Sequence, residues 1–126
     1  MALLGYGGMS QETAADAVGQ RTPAITAGAS AQLGSGGAAA VTGSDRAGEI
    51  TIVTGTGSPA AGALATINFR APYNSIPHVV FQATEANAAG KRVYPASRTM
   101  NGFVLTGIDA LDASTTYKFA YQVLEP

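Results

Sequence analysis

From Thr116 to Leu124 the chain alternates residue by residue. Tyr117, Phe119, Tyr121 and Val123 are large and apolar or aromatic, with Lys118, Ala120 and Gln122 interposed. A two-residue period places the four large side chains on one side of an extended strand, and a helix, with its period near 3.6, cannot gather them. The stretches before it repeat the pattern. Glu49–Thr54 sets Ile50 and Ile52 on one side, Leu64–Arg70 presents Ala65, Ile67 and Phe69, and His78–Thr84 presents Val79, Phe81 and Ala83. Arg92–Ser97 contains Pro95, which cannot donate to a ladder and confines that strand to an edge. Phe103–Ile108 follows Asn101-Gly102, a hairpin signal. Turn clusters rich in Gly, Pro and Asn separate these runs. Six short strands divided by turns, with no long helical period among them, predict an all-β fold: a compact antiparallel six-stranded β-sandwich.

The chain is not uniform. Of nine aromatic residues, Tyr6 alone precedes residue 49, whereas 10 of the 16 glycines lie within residues 1–48. Aromatic and β-branched side chains carry most of the area a core buries, so only the second part has the material for one. The expected organisation is an extended, Gly/Ala-rich N-terminal arm over residues 1–45 and a β-sandwich over 46–126. One short helix is expected in the arm, with Ser10 as its cap, Glu12 at its positive end, Thr13–Val18 as its body and Gly19 as its stop, with Pro23 beyond. Two turns of helix do not hold alone in water and need a surface to dock on. Ala27–Gly43 is low in complexity and reads either as a flexible linker or as a segment held by neighbouring chains or by the globular domain itself.

Composition narrows the function classes. Only 12% of residues are charged in a chain of 126, against about 25% for ordinary soluble domains, and the formal net charge is −1. A surface this neutral is expected to be covered in part by other subunits. The balance offers no electrostatic footprint for nucleic acid or anionic membrane. The absence of cysteine removes disulfides, thiolate nucleophiles and Cys-based zinc sites, and a single histidine, His78, removes sites built on several imidazoles. No metal or other cofactor is expected. Met1-Ala-Leu-Leu runs into Gly5 without a basic n-region or an apolar h-region, so no secretory leader is expected, and no apolar run approaches the ~20 residues that span a bilayer. Ala2 departs from the myristoylation pattern.

No catalytic set emerges. Gly34-Ser-Gly-Gly37 and Gly55-Thr-Gly57 lack the Lys-Ser/Thr of a phosphate-binding loop and have no βαβ unit around them. Asp109 and Asp112 are spaced for acid–base or calcium chemistry, but turn formation by Asx residues accounts for both. His78 follows Pro77 at a strand entrance with no serine or aspartate at a motif spacing, which suits a structural role at a strand end or subunit contact. Lys91, Arg92, Tyr94 and Arg98 form the one concentrated positive patch, either a binding rim or an edge strand guarded by its charges and Pro95. The expected class is non-enzymatic.

The order of motifs along residues 43–126 resembles a small β-domain of tailed-bacteriophage virion proteins. The resemblance rests on Gly43-Ser-Asp-Arg-Ala-Gly-Glu-Ile-Thr-Ile-Val-Thr-Gly-Thr-Gly57, Ala63-Leu-Ala-Thr-Ile-Asn-Phe69, Ala71-Pro-Tyr73 with Pro77-His-Val-Val-Phe81, Asn101-Gly-Phe-Val-Leu-Thr106 and Ser114-Thr-Thr-Tyr-Lys-Phe-Ala-Tyr-Gln-Val123. Such domains occur in capsid decoration (cement) proteins, head fibres and tail-fibre tips. The resemblance implies a sandwich like that of H-type lectins, assembled as a homotrimer on the outer surface of the virion. The expected function is a decoration protein that grips the major capsid protein through its arm and stabilises the shell. The alternative is a short head or tail fibre or receptor-binding tip, anchored to tail or baseplate proteins and recognising host-surface glycan. Tyr73, Asn74, Tyr94 and Arg98 are then the candidate glycan or partner contacts. Val104, Ile108, Ala120 and Leu124, on the second faces of their strands, are the candidate inter-subunit positions.

Overall fold

The computed structural model describes residues 21–125 in full and, of the preceding segment, the backbone of Ala2–Leu4 (β1) and Tyr6–Gly7 (β2), which pair antiparallel with each other. The helix expected between Ser10 and Gly19 lies outside the described residues. The sandwich comprises β3 (Ala24–Ala27), β4 (Ala38–Gly43), β5 (Ala47–Val53), β6 (Gly62–Asn68), β7 (His78–Ala83), β8 (Val93–Thr99), β9 (Gly102–Gly107) and β10 (Thr116–Leu124). One sheet runs β4-β5-β10-β7 and the other β3-β6-β9-β8, each antiparallel throughout. Two short helices, α1 (Ser30–Leu33) and α2 (Ala86–Ala89), lie in connections.

The all-β expectation holds, but the strand number is eight, not six. The two additional strands are β3 and β4, drawn from residues 24–43, a stretch expected to belong to the arm. Each sits at an edge of its sheet, and β3 lies beside β4 across the gap between the layers. Their alanines and glycines carry little apolar volume, so no periodic signal announces them. A neighbouring strand's backbone supplies the ladder that holds them extended.

Each long strand turns its apolar face inward. Ile50 and Ile52 on β5, Tyr117, Phe119, Tyr121 and Val123 on β10, and Val79 on β7 meet Leu64, Ala65 and Ile67 on β6 and Phe103 and Leu105 on β9. The register shifts between Ala63 and Ala65, a bulge that lets both Leu64 and Ala65 face the core. Phe103 is the hub of an aromatic cluster, with ring centroids 5.9 Å from Phe69, 5.7 Å from Phe81 and 6.4 Å from Tyr121. Such tilted pairs add about 0.5–1.5 kcal/mol each beyond burial. Leu33 of α1 and Leu111 of the loop before β10 are buried as well, which explains why the low-complexity segment docks.

Candidate functional site

The two outer faces are what this fold offers to a partner, and they differ. On the β3-β6-β9-β8 sheet the register aligns Thr26 with Thr66, Thr66 with Val104, and Val104 with Ala96. In the next row Thr106 stands beside Tyr94, whose ring is 44% exposed, and Ile108 just beyond β9 is 50% exposed. β3, β6 and β9 contain no charged residue, and Arg98 is the only one in β8. The face is a field of threonine, alanine, valine and tyrosine. On the β4-β5-β10-β7 sheet, Glu49, Lys118 and His78 interrupt the equivalent field, which holds Ala120 beside Gln82 and Leu124 beside His78. Val104 with Ile108, and Ala120 with Leu124, therefore occupy opposite outer faces of one subunit.

Of the expected contacts, Tyr73 is corrected. Its side chain is 3% exposed, packed edge-on against Phe69 with centroids 4.9 Å apart, and its hydroxyl donates to Asp45 O at 3.0 Å. It closes the core and has no free face for a sugar. Asn74 is exposed, and its backbone N–H donates to Glu125 Oε2 at 2.9 Å. Tyr94 and Arg98 are both exposed on β8, but Arg98 already donates from Nη1 to Pro77 O at 2.8 Å.

The expected positive patch is largely neutralised. Arg92 meets Asp109 through its backbone N–H at 2.8 Å and through Nε and Nη2 at 3.1 and 2.8 Å. These bonds hold the Asp109 carboxyl at about 2, well below the usual carboxylate range, and raise the Arg92 guanidinium further. Lys91 Nζ donates to Ala110 O at 2.9 Å and stands 3.7 Å from Asp112. The two aspartates thus serve the loop before β10 as anchors for β8. His78 is exposed at the first residue of β7, opposite Leu124.

A buried polar centre lies at the end of the sandwich where β4 turns into β5. Asp45 is 0% exposed, and its carboxylate accepts from the backbone N–H groups of Arg70 (2.9 and 3.1 Å) and Ala71 (3.2 Å). Burial pushes its carboxyl up, against the pull of those donors and of Arg70 and Arg21. The Tyr121 hydroxyl donates to Ser44 O beside it, and burial raises both that hydroxyl and the one on Tyr73. Every group in this cluster is satisfied from within the fold, so it fastens the β4–β5 turn to the loop after β6 and presents nothing to a substrate. Nothing in the sequence around Asp45 signals its burial.

Two depressions lie on the described surface. One, of about 500 Å³, opens between β7 and β8 over Val79, Phe81, Val93, Pro95 and Phe119, with Lys91 and Arg92 at its rim. The other, of about 440 Å³, lies on the outer face over Ala47, Val80, Gln82, Ala120 and Gln122. Among the described residues no three His, Asp or Glu side chains gather in a group suited to a metal ion, and no helix is long and apolar enough to cross a membrane. No family model, curated protein or solved structure matches the chain.

Proposed function

We propose that the chain is a non-enzymatic structural protein of a tailed-bacteriophage virion, a trimeric capsid decoration protein on the particle's outer surface. The observation that carries this reading is the near absence of charge on the β3-β6-β9-β8 sheet, where Arg98 is the single charged strand residue. A lone soluble domain keeps charge spread over its surface, whereas a subunit that packs on copies of itself does not pay desolvation of charge on the packed face. The motif order along residues 43–126 supports the same reading. Three copies joined on this face would present three preceding segments to the shell at once, and linked weak contacts gain through effective concentration.

Residues 24–43 belong to the sandwich, so the segment that grips the major capsid protein is assigned to residues 1–20. The test is copy number. Quantitative gel densitometry of purified particles should give hundreds of copies per virion; a handful would sink the decoration reading. A shell stripped of the protein should rebind the full chain and fail to rebind a chain lacking residues 1–20.

The second reading, a short fibre or receptor-binding tip, is favoured by one feature, the exposed Tyr94 ring on the same face. Aromatic faces stack on sugars, and a ring buried between subunits cannot. Binding of recombinant protein on a glycan array, lost in Tyr94→Ala, would select it over the decoration reading.

A further inference from the structure

The four edge strands of the sandwich are not equally protected. β8 carries Pro95, a register break between Ala96 and Thr99, and Arg98. β3 is four residues long, directly after Pro23. α2 packs against β7. β4 has no proline, no register break and no charge, and β3 of the other sheet, which lies beside it, forms no ladder with it. The six residues of β4, Ala38-Ala-Ala-Val-Thr-Gly43, pair with β5 in an unbroken register. Among the described residues β5 is its only ladder partner.

The phase of that ladder is fixed. Ser44 N–H donates to Ala47 O at 2.8 Å and closes the turn, and on the other side of β5 Thr54 N–H donates to Thr115 O at 2.9 Å. Antiparallel pairing alternates, so Ala38, Ala40 and Thr42 bond to β5 while Ala39 and Val41 aim N–H and C=O away from it. Gly43, in the same phase, has its carbonyl taken by the Thr22 hydroxyl. The open length is thus centred on Ala40, whose side chain is exposed on the outer face, while Ala39 and Val41 pack their side chains toward the core.

We propose that β4 pairs with β4 of a second copy of this chain about a two-fold axis through Ala40. An antiparallel strand is self-complementary in this phase. Ala39 of one copy exchanges both backbone bonds with Val41 of the other, and the reverse, which leaves the two Ala40 residues opposite each other as a non-hydrogen-bonded pair about 4.5 Å apart at Cα. Identity of the partner also follows from charge. A second copy brings the same residues to the axis, so any charge on this edge would face its own sign, and from Ala38 to Gly43 there is none. The contact is distinct from the face-to-face trimer proposed above and does not depend on it.

The register gives the experiment. In hydrogen exchange on the full chain, the amides of Ala39 and Val41 slow as protein concentration is raised. The amides of Ala40 and Thr42, bonded to β5 in either state, do not change. Ala40→Lys, at an exposed position, keeps the wild-type circular dichroism. It places two ammonium groups against each other and weakens the association seen by sedimentation equilibrium at least about tenfold. Ala40→Glu does the same, and an equimolar mixture of the two variants restores it. Unchanged exchange at Ala39 and Val41 from dilute solution to about 1 mM, the concentration at which contacts of about 4 kcal/mol are half formed, overturns the proposal. So does an association that both variants leave intact, including a persistent trimer, which would spare the trimer reading and remove this one.

Discussion

Asp45 shows how much a single side chain in this sandwich carries. Its carboxylate receives backbone N–H groups from Arg70 and Ala71 in a site with no exposure. Replacing it with alanine leaves those donors buried and unpaired, so Asp45→Ala should cost about 3 kcal/mol in urea unfolding. Asp45→Asn, which keeps one acceptor oxygen, should cost less. Tyr121 and Tyr73 make the same end of the fold sensitive to alkali. Burial raises both hydroxyls, so the folded state retains protons that the unfolded chain gives up. The stability they contribute is complete below about pH 10, the ordinary tyrosine value, and is lost as pH rises through their higher folded values. The urea midpoint should fall above pH 10, and Tyr121→Phe should flatten that fall.

At the scale of elements, the connections are held as firmly as the strands. Gly55 links three segments: its N–H donates to Leu33 O at 2.8 Å, its carbonyl accepts from Ser114 N–H at 2.9 Å, and a Cβ there would stand 1.7 Å from Ser35 O. Gly55→Ala forces backbone apart where α1 meets the end of β5, and a cost of about 1–3 kcal/mol in chemical unfolding is expected. The Arg92–Asp109 contact that ties β8 to the loop before β10 is exposed and belongs to a different regime. It acts above the ordinary carboxylate value near 3.9 and is lost as pH falls through about 2, the depressed value in the fold. A carboxyl titration followed by NMR should show that midpoint, and Arg92→Ala should move it back up. Added salt should weaken the pair in the wild type.

For the whole molecule, the distribution of charge matters more than its total. β3, β6 and β9 contain no charged residue, and the sheet they build has Arg98 alone at its rim. If that face is the contact between subunits, light scattering at concentrations too low for the β4 edges to pair should give three times 12.6 kDa, and Thr66→Lys, at the middle of the face, should abolish that trimer without loss of β structure. A chain lacking residues 1–42 would lose both β3 and β4 and leave the core open along one side; one lacking residues 1–20 retains all eight sandwich strands. The shorter truncation is therefore the one that separates folding from capsid binding.

What the sequence determined by itself is the inward face of the strands that alternate without a break; in β6 alternation accounts for Ala65 and Ile67, and only the bulge brings Leu64 inward as well. Tyr117, Phe119, Tyr121 and Val123 had to share a side because alternation is a local property of an extended backbone, and the same holds for Ile50 with Ile52 and for Val79 with Phe81. Pro95 likewise put β8 at an edge through chemistry carried in one residue. Tertiary structure decided what depends on partners distant in the chain. Ala24–Ala27 and Ala38–Gly43 become strands because β6 and β5 offer them a ladder, not because their alanines prefer to be extended. Tyr73 becomes core and not surface because Phe69 and the Asp45 carbonyl meet it, and Asp45 itself is buried only because the loop after β6 folds over its turn. Periodicity is read within a strand, whereas pairing order and the burial of a polar side chain are settled between strands that only the fold brings together.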